Sequence, residues 1–572
     1  MHSFFRNILV LCLALSAAGF ALDRNAFTFT KYDLEVRIDP DGAAIAARGK
    51  VTLRNDSDTP QNNVVLQISS SLDWRMIELN GAPLQYLSVA QTTDIDHTGK
   101  VMEAVVTLPA PIAPKGSVVL DIGYSGEIPQ DATRLTRMDV PDEMAKATEW
   151  DRISPGFTAL RGIGHVAWYP IAVDPANLSQ DTLFSTISRW QVRQAQTSMN
   201  ANFCWITDED HSYTVVANGT FEKMGAGANP GEGNRSGCTS FAFTNLQQTV
   251  PTFSIAPFGM LTRPAISVYY LDGHEDQASS FALAAEKVQP QIESWLGKTT
   301  EKVQLIQLPE GNDAPFDSGA MLFTPLRTSD ATQIEVTVAH QMAHAAFHTP
   351  RLWISEGLAN FASFLMREQT DGRRAALDYL GSNLPVLIAA EKQDTAKAKP
   401  SSNADAQSLI STDDEVYYRV KAMYVWSMLR DLIGDQALRS VLKNYRAVDD
   451  KDPAYLQRLV AAQDKRDLSW FFDDWVYHDR GLPELKIESA VPRQTVNDSY
   501  LVAVTVENDG GAGVDIPITV RSAGGEQTER ILVPAHQKAT TRLAVAGKPI
   551  DVAINNGTVP EVESSDDHLD LK

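Results

Sequence analysis

The chain has 572 residues, 43 % of them hydrophobic and 21 % charged, which excludes wholesale disorder and collagen-like repeats. One hydrophobic core stops growing well below this length, so roughly three to four domains of about 100–200 residues are expected. Asp and Glu total 72 against 50 Lys and Arg, and a net charge of −22 repels phosphate backbones and anionic lipid, arguing against a nucleic-acid partner.

The first segment reads as an address. Arg6 supplies a positive start, Ile8 to Leu15 an apolar core, and Ala17-Ala18-Gly19-Phe20-Ala21 small residues suited to cleavage. The run is too short to span a bilayer and predicts a signal peptide over 1–21, cut near Ala21, with export to a periplasm or the medium. No later stretch approaches 18 uncharged apolar residues, so no membrane span is expected in the mature chain. Cys12 leaves with the signal, and Cys204 and Cys238 remain. In an oxidising compartment the simplest outcome is one disulfide, the other being two separate buried thiols. Four-cysteine zinc sites are excluded by the count.

From Tyr32 the chain alternates. Leu34, Val36 and Ile38 interleave with Asp33, Glu35 and Arg37, as in a sheet with one wet face. The turn Asp39-Pro40-Asp41-Gly42 leads to a second strand from Gly49. Similar alternation at 105–108 and 118–122 extends an antiparallel β-domain over 22–262, with a Gly, Asn and Pro-rich loop at 225–237. The period then changes to helical. Phe281, Leu283, Ala284, Val288, Ile292 and Trp295 mark a helix over 276–296 closed by Gly297, and further helices are expected over 331–348, 351–368, 415–433, 435–446 and 453–464. This α-rich part, 263–483, ends at Gly481-Leu482-Pro483. Strands at 500–506 and 531–533 predict a small sandwich over 484–560, and the acidic tail, 561–572, is expected to be disordered. The fold class is a multi-domain β, then α+β, then β arrangement.

The chemistry lies in Val338-Ala339-His340-Gln341-Met342-Ala343-His344. Histidines at i and i+4 share a helix face, where their imidazoles can converge on one metal ion. Twelve residues on, Trp353-Ile354-Ser355-Glu356-Gly357-Leu358-Ala359 offers a carboxylate that would complete a His₂Glu zinc site with one position open for water. Asn360, one turn beyond Glu356, could orient a ligand histidine from behind. A histidine pair on an Ala-rich helix is more often packing than ligation. Its coupling to the second string at this separation reverses that balance. His348 continues the row but lies about 12 Å along the axis from His340 and reads as structural.

The strings Gly319-Ala320-Met321, His340-x-x-x-His344, Trp353 to Ala359 and Tyr418-x-x-Lys421-Ala422, in that order, resemble the membrane alanyl aminopeptidase (aminopeptidase N) family of gluzincin zinc peptidases. The likeness extends to Gly123-Tyr124-Ser125-Gly126 and to the stretch from Trp475 to Pro483. It implies an N-terminal antiparallel β-saddle, a thermolysin-like, mostly α domain of catalytic type and a C-terminal β-sandwich. It further implies one Zn²⁺ per chain on His340, His344 and Glu356, with peptides or unfolded protein segments as partners. Gly319, Ala320 and Met321 would bind the peptide backbone as an added strand. Tyr418, in preference to Tyr417, would donate to the oxyanion of the tetrahedral intermediate, although Arg419 occupies the place the family's spacing gives the tyrosine.

Three departures bear on activity. Gln341 stands at the general-base position of the H-E-x-x-H pattern, and an amide cannot take the proton of the attacking water. Such groups typically contribute about 10²–10⁴-fold. Glu335 lies on a different helix face and is no replacement. Leu322 stands where the family has a glutamate for the substrate's free amine. Asp317 could pair with an amine or be a solvated loop carboxylate. The His344–Glu356 spacing is short, with Pro350 starting the second helix early. Three readings stand: an exported zinc peptidase of reduced activity, a pseudo-peptidase that binds peptides or a partner without cleavage, and a structural envelope protein in which the histidine pair has no role.

Overall fold

A computed structural model describes residues 22–571, except 181, 208–211, 227–234, 245, 247–249, 300–301, 328–329, 398–407, 413 and 497. The predicted signal peptide and most of the loop at 225–237 lie outside the described residues. Two compact units meet in sequence at Ala256 and Pro257.

The first unit is built on an eight-stranded sheet. Its strands are β1 (Phe27–Asp39), β2 (Ala44–Asn55), β3 (Leu72–Leu79), β4 (Ala82–Pro83), β5 (Ser117–Glu127), β6 (Ser198–Thr207), β7 (Thr220–Ala226) and β8 (Arg235–Thr244). They run in the order β7-β8-β6-β1-β2-β5-β3-β4. The alternation in β1 has its expected cause: Leu34, Val36 and Ile38 are buried, and the intervening charges face outward. One feature departs from a purely antiparallel domain, since β1 and β6 pair in parallel, and a helix, Leu183–Arg193, precedes β6. Period-2 alternation reports which face is wet but carries no direction, so this pairing could not be read from it. Cys204 and Cys238 oppose each other directly across β6 and β8 and form a disulfide.

The second unit begins with a mixed sheet of β9 (Gly259–Thr262), β10 (Ile266–Tyr270), β11 (Val303–Gln307), β12 (Phe316–Ser318) and β13 (Met321–Thr324), in the order β9-β10-β11-β13-β12. The longer helices are α1 (Glu275–Trp295), α2 (Ala331–Ala346), α3 (Leu352–Gly381), α4 (Leu384–Lys397), α5 (Ala422–Asn444) and α6 (Tyr455–Gln463). A π-helical turn, Val416–Lys421, feeds α5. Gly434, with φ 81°, breaks α5 where the sequence marks a helix end. Helix α2 packs between α1 and α3, and one continuous buried core runs from Ala265 to Val559, across the expected seam at 483. At Gly357 on α3 a Cβ would stand 2.7 Å from the Ala422 Cβ and 2.9 Å from the Trp426 ring, so α3 meets the start of α5 at a distance only glycine permits. Lys421 is buried between Glu391 and Asp479, 2.8 Å from each, and anchors the π-helical turn.

The remaining strands are β14 (Leu485–Gln494), β15 (Ser499–Asn508), β16 (Val514–Ser522), β17 (Gly525–Val533), β18 (Gln537–Ala546), β19 (Pro549–Ile554) and β20 (His568–Asp570), in sheets β14-β15-β18 and β17-β16-β19-β20. The expected disorder of the acidic tail is corrected here. β20 pairs with β19, and Glu561 is buried and accepts from Asn555 Nδ2 at 2.5 Å. Composition suggests a solvated tail because it counts charges without showing that some are buried and partnered. Burial, and then the hydrogen bond to Glu561, push the Asp567 carboxyl up to about 9. The folded tail therefore holds a proton that an unfolded one releases near pH 4. That stabilisation is complete below about pH 4 and is lost as pH rises through about 9. Hydrogen-exchange protection of 561–571 should accordingly fall across this range and depend less steeply on pH in Asp567→Asn, where the buried Glu561 carboxyl still titrates. The same pH dependence in that variant would overturn the assignment. Among the described residues no helix is long and apolar enough to cross a membrane.

Candidate metal centre

Helix α2 starts cleanly because Asp330 caps it, accepting from Gln333 N at 3.0 Å. Its helical repeat sets His340 and His344 on one face with ring centroids 4.9 Å apart and Nε2 atoms 3.2 Å apart. Helix α3 brings Glu356 to the pair, with Oε1 at 3.6 Å from His344 Nε2 and Oε2 at 4.0 Å from His340 Nε2. Asp317, from β12, places Oδ2 3.7 Å from the same His344 nitrogen. Ligand atoms of Asp317, His340 and His344 all lie within 4.8 Å of one another. Tetrahedral zinc with bonds of 2.0–2.2 Å separates its ligand atoms by about 3.3–3.6 Å, so side-chain rotations of about an ångström would let these groups share one ion.

The electrostatics suit a cation. Burial, followed by the neighbouring His344, lowers the His340 pKa to about 3, which leaves a neutral ring able to coordinate. Burial raises the Glu356 carboxyl, opposed chiefly by His344. Arg419 Nε sits 3.0 Å from Glu356 Oε2 but off the hydrogen-bonding axis, and both atoms lack a hydrogen-bond partner among the described residues. The same guanidinium donates through Nη1 to Glu415. Burial lowers the Arg419 pKa, but Glu356 and Glu415 outweigh it, so the net shift is upward and the group stays charged. Asp317 and Glu356 both bring carboxylate oxygens within 3.7 Å of His344 Nε2, donors that suit a divalent ion. With nitrogen and carboxylate donors and an orphaned buried oxygen on Glu356, the residues present fit zinc.

Gln341 is buried beside the pair. Its Nε2 donates to Gly319 O at 3.1 Å, and its Oε1 has no partner among the described residues. Glu335 is spent on Lys287, at 2.6 Å, and supplies no substitute base. His348 lies past the end of α2.

Several expectations are corrected. Asn360 does not orient a histidine: its amide donates to its own helix carbonyl at Glu356, at 2.9 Å, and Ser355 Oγ stands 3.2 Å from His344 Nδ1 instead. Gly319 and Ala320 form the turn between β12 and β13, and Met321 is fully buried on β13. Because β13 is paired on both sides, residues 319–323 cannot accept an added peptide strand, and the sheet's order ends at β12. Leu322 is buried in that inner strand. From the π-helical turn the side chain reaching Glu356 is Arg419, whereas Tyr418, its pKa raised to about 12 mainly by burial, makes no hydrogen bond to the histidines or Glu356. Tyr417 is fully buried. Asp317 was legible only as a possible amine partner, because its place beside His344 depends on how β12 folds back.

Two other acid–histidine groups exist among the described residues. Glu149, Asp151 and His165 are bound up with Arg134 and Arg161, and in the group of Asp551, His568 and Asp570 the first is paired with Arg521.

No family model and no curated protein matches the sequence. Among solved structures, the chain is similar to an M1 zinc metallopeptidase from Deinococcus radiodurans, at 16 % identity and a TM-score of 0.49, over 81 % of this chain and 97 % of that one. A glutamate-to-alanine mutant of the M1 zinc metallopeptidase from the same organism matches at 15 % identity with the same coverage and TM-score.

Proposed function

We propose that this chain is an exported zinc-binding protein of metallopeptidase type, in which His340, His344 and Glu356 hold one ion and peptide hydrolysis is strongly reduced. The convergence of the two Nε2 atoms, 3.2 Å apart, on the Glu356 carboxylate carries the reading. When bound with a position open to substrate, zinc would supply Lewis-acid polarisation of a peptide carbonyl. Ser355 fixes the far side of the His344 ring. Gln341 can hydrogen-bond a water but cannot take its proton, which removes about 10²–10⁴-fold from turnover. Its amide is also committed to the Gly319 carbonyl, and this favours the second reading, a pseudo-peptidase that binds peptides or unfolded segments without cleaving them. Export is supported by the apolar run after Arg6 and by the Cys204–Cys238 disulfide, a bond that persists in oxidising compartments.

Elemental analysis of the purified chain tests this. About one zinc per chain is expected, and it should be lost in His340→Ala. A wild-type chain that takes up no metal after incubation with zinc would overturn the assignment.

A further inference from the structure

We infer that Asp317 is a fourth protein ligand, so that the metal centre is closed and exposes no position to water or substrate. The inference rests on the proposed zinc site and concerns what completes its coordination.

His344 Nε2 carries the argument. Three atoms surround it: His340 Nε2 at 3.2 Å, Glu356 Oε1 at 3.6 Å and Asp317 Oδ2 at 3.7 Å. A neutral imidazole nitrogen carries at most one proton and can satisfy one acceptor. The two carboxylate distances also exceed hydrogen-bond range. Ligand atoms of Asp317, His340 and His344 already lie within 4.8 Å of one another, and a cation among them, joined by the Glu356 carboxylate 3.6 Å from His344 Nε2, would give each of these groups a partner. Both carboxylates flank the nitrogen at nearly equal distance, one from α3 and one from β12, so nothing in the geometry admits Glu356 as a ligand and leaves Asp317 out.

The number of protein ligands decides the chemistry. Zinc sites with three keep a position for the reacting water, whereas sites with four are structural and closed. Two histidines, Glu356 and Asp317 make four. The metal would then tie β12 to α2 and α3 and hold the surface around them in one arrangement.

Cobalt(II) in place of zinc makes the coordination visible, and azide probes for an open position. The chain should bind about one cobalt, with visible bands that do not move as azide is added. In Asp317→Ala the bands should shift with azide and saturate, since the substitution opens the fourth position. Bands that move in the wild-type chain would overturn the inference and leave the zinc site standing. So would an Asp317→Ala variant that holds cobalt and is as indifferent to azide as the wild type. Failure of the wild-type chain to take up cobalt or zinc would overturn the metal site itself, and the inference with it.

Discussion

In a chain carrying Asp317→Ala, adding Gln341→Glu is expected to raise peptide-amide hydrolysis by about 10²–10⁴-fold over the single variant. The two changes correct two separate obstacles. Asp317 faces His344 Nε2 at 3.7 Å and, as the inferred fourth ligand, would take the position a scissile carbonyl needs. Gln341, at the proposed base position, cannot accept a proton. Gln341→Glu alone leaves the first obstacle in place and should gain less than about tenfold. It also takes the donor from the Gly319 carbonyl, an unsatisfied group that costs about 1–3 kcal/mol and should show as lower stability. Initial rates on blocked and unblocked chromogenic peptides, with zinc content measured in parallel, check this. A double variant that is fully metallated and gains nothing would show that substrate binding has been lost as well as the base.

Lys421→Ala is expected to destabilise the second unit by about 3–5 kcal/mol, the cost of leaving buried charges without their partner. Its ammonium is shut in between Glu391 and Asp479, whose side chains are only 12 % and 11 % exposed. Burial lowers the Lys421 pKa, but the two carboxylates outweigh that and the net shift is upward. The raised value means that its contribution holds through neutral pH and fades only as pH climbs above about 10.4. Urea unfolding of the metal-free chain at neutral and strongly alkaline pH measures both. A loss below about 1 kcal/mol would mean that the two acids relax into water when the lysine is removed.

What the sequence disclosed about the site follows from how local each contact is. The histidine pair is written into one turn of α2, and Glu356 stands at a fixed remove on the next helix, so spacing exposes all three. Asp317 reaches them only because β12 doubles back beside β13, and nothing in the residues around it reports that return. Arg419 was visible as an intruder at the place expected of a tyrosine, but its contact with Glu356 depends on the meeting of α3 with the π-helical turn. Asn360 shows the opposite error: at one helical turn's distance its amide finds its own backbone before it finds a neighbour's ring. For the fold, periodicity placed the main helices, while the parallel pairing of β1 with β6 and the order of the tail both depend on partners distant in sequence.

Gly357 adds a constraint on how Glu356 and Arg419 can part. A Cβ on Gly357 would collide with Ala422 and Trp426, so α3 and the start of α5 pack in close contact there. Neither backbone can slide along the other without driving side chains together, so the spacing between the residue after Glu356 and the residue after Lys421 is set by steric fit. Rotation about side-chain bonds is then the least obstructed way to part the Glu356 carboxylate from the Arg419 guanidinium. Glu415 holds the other end of that guanidinium through Arg419 Nη1.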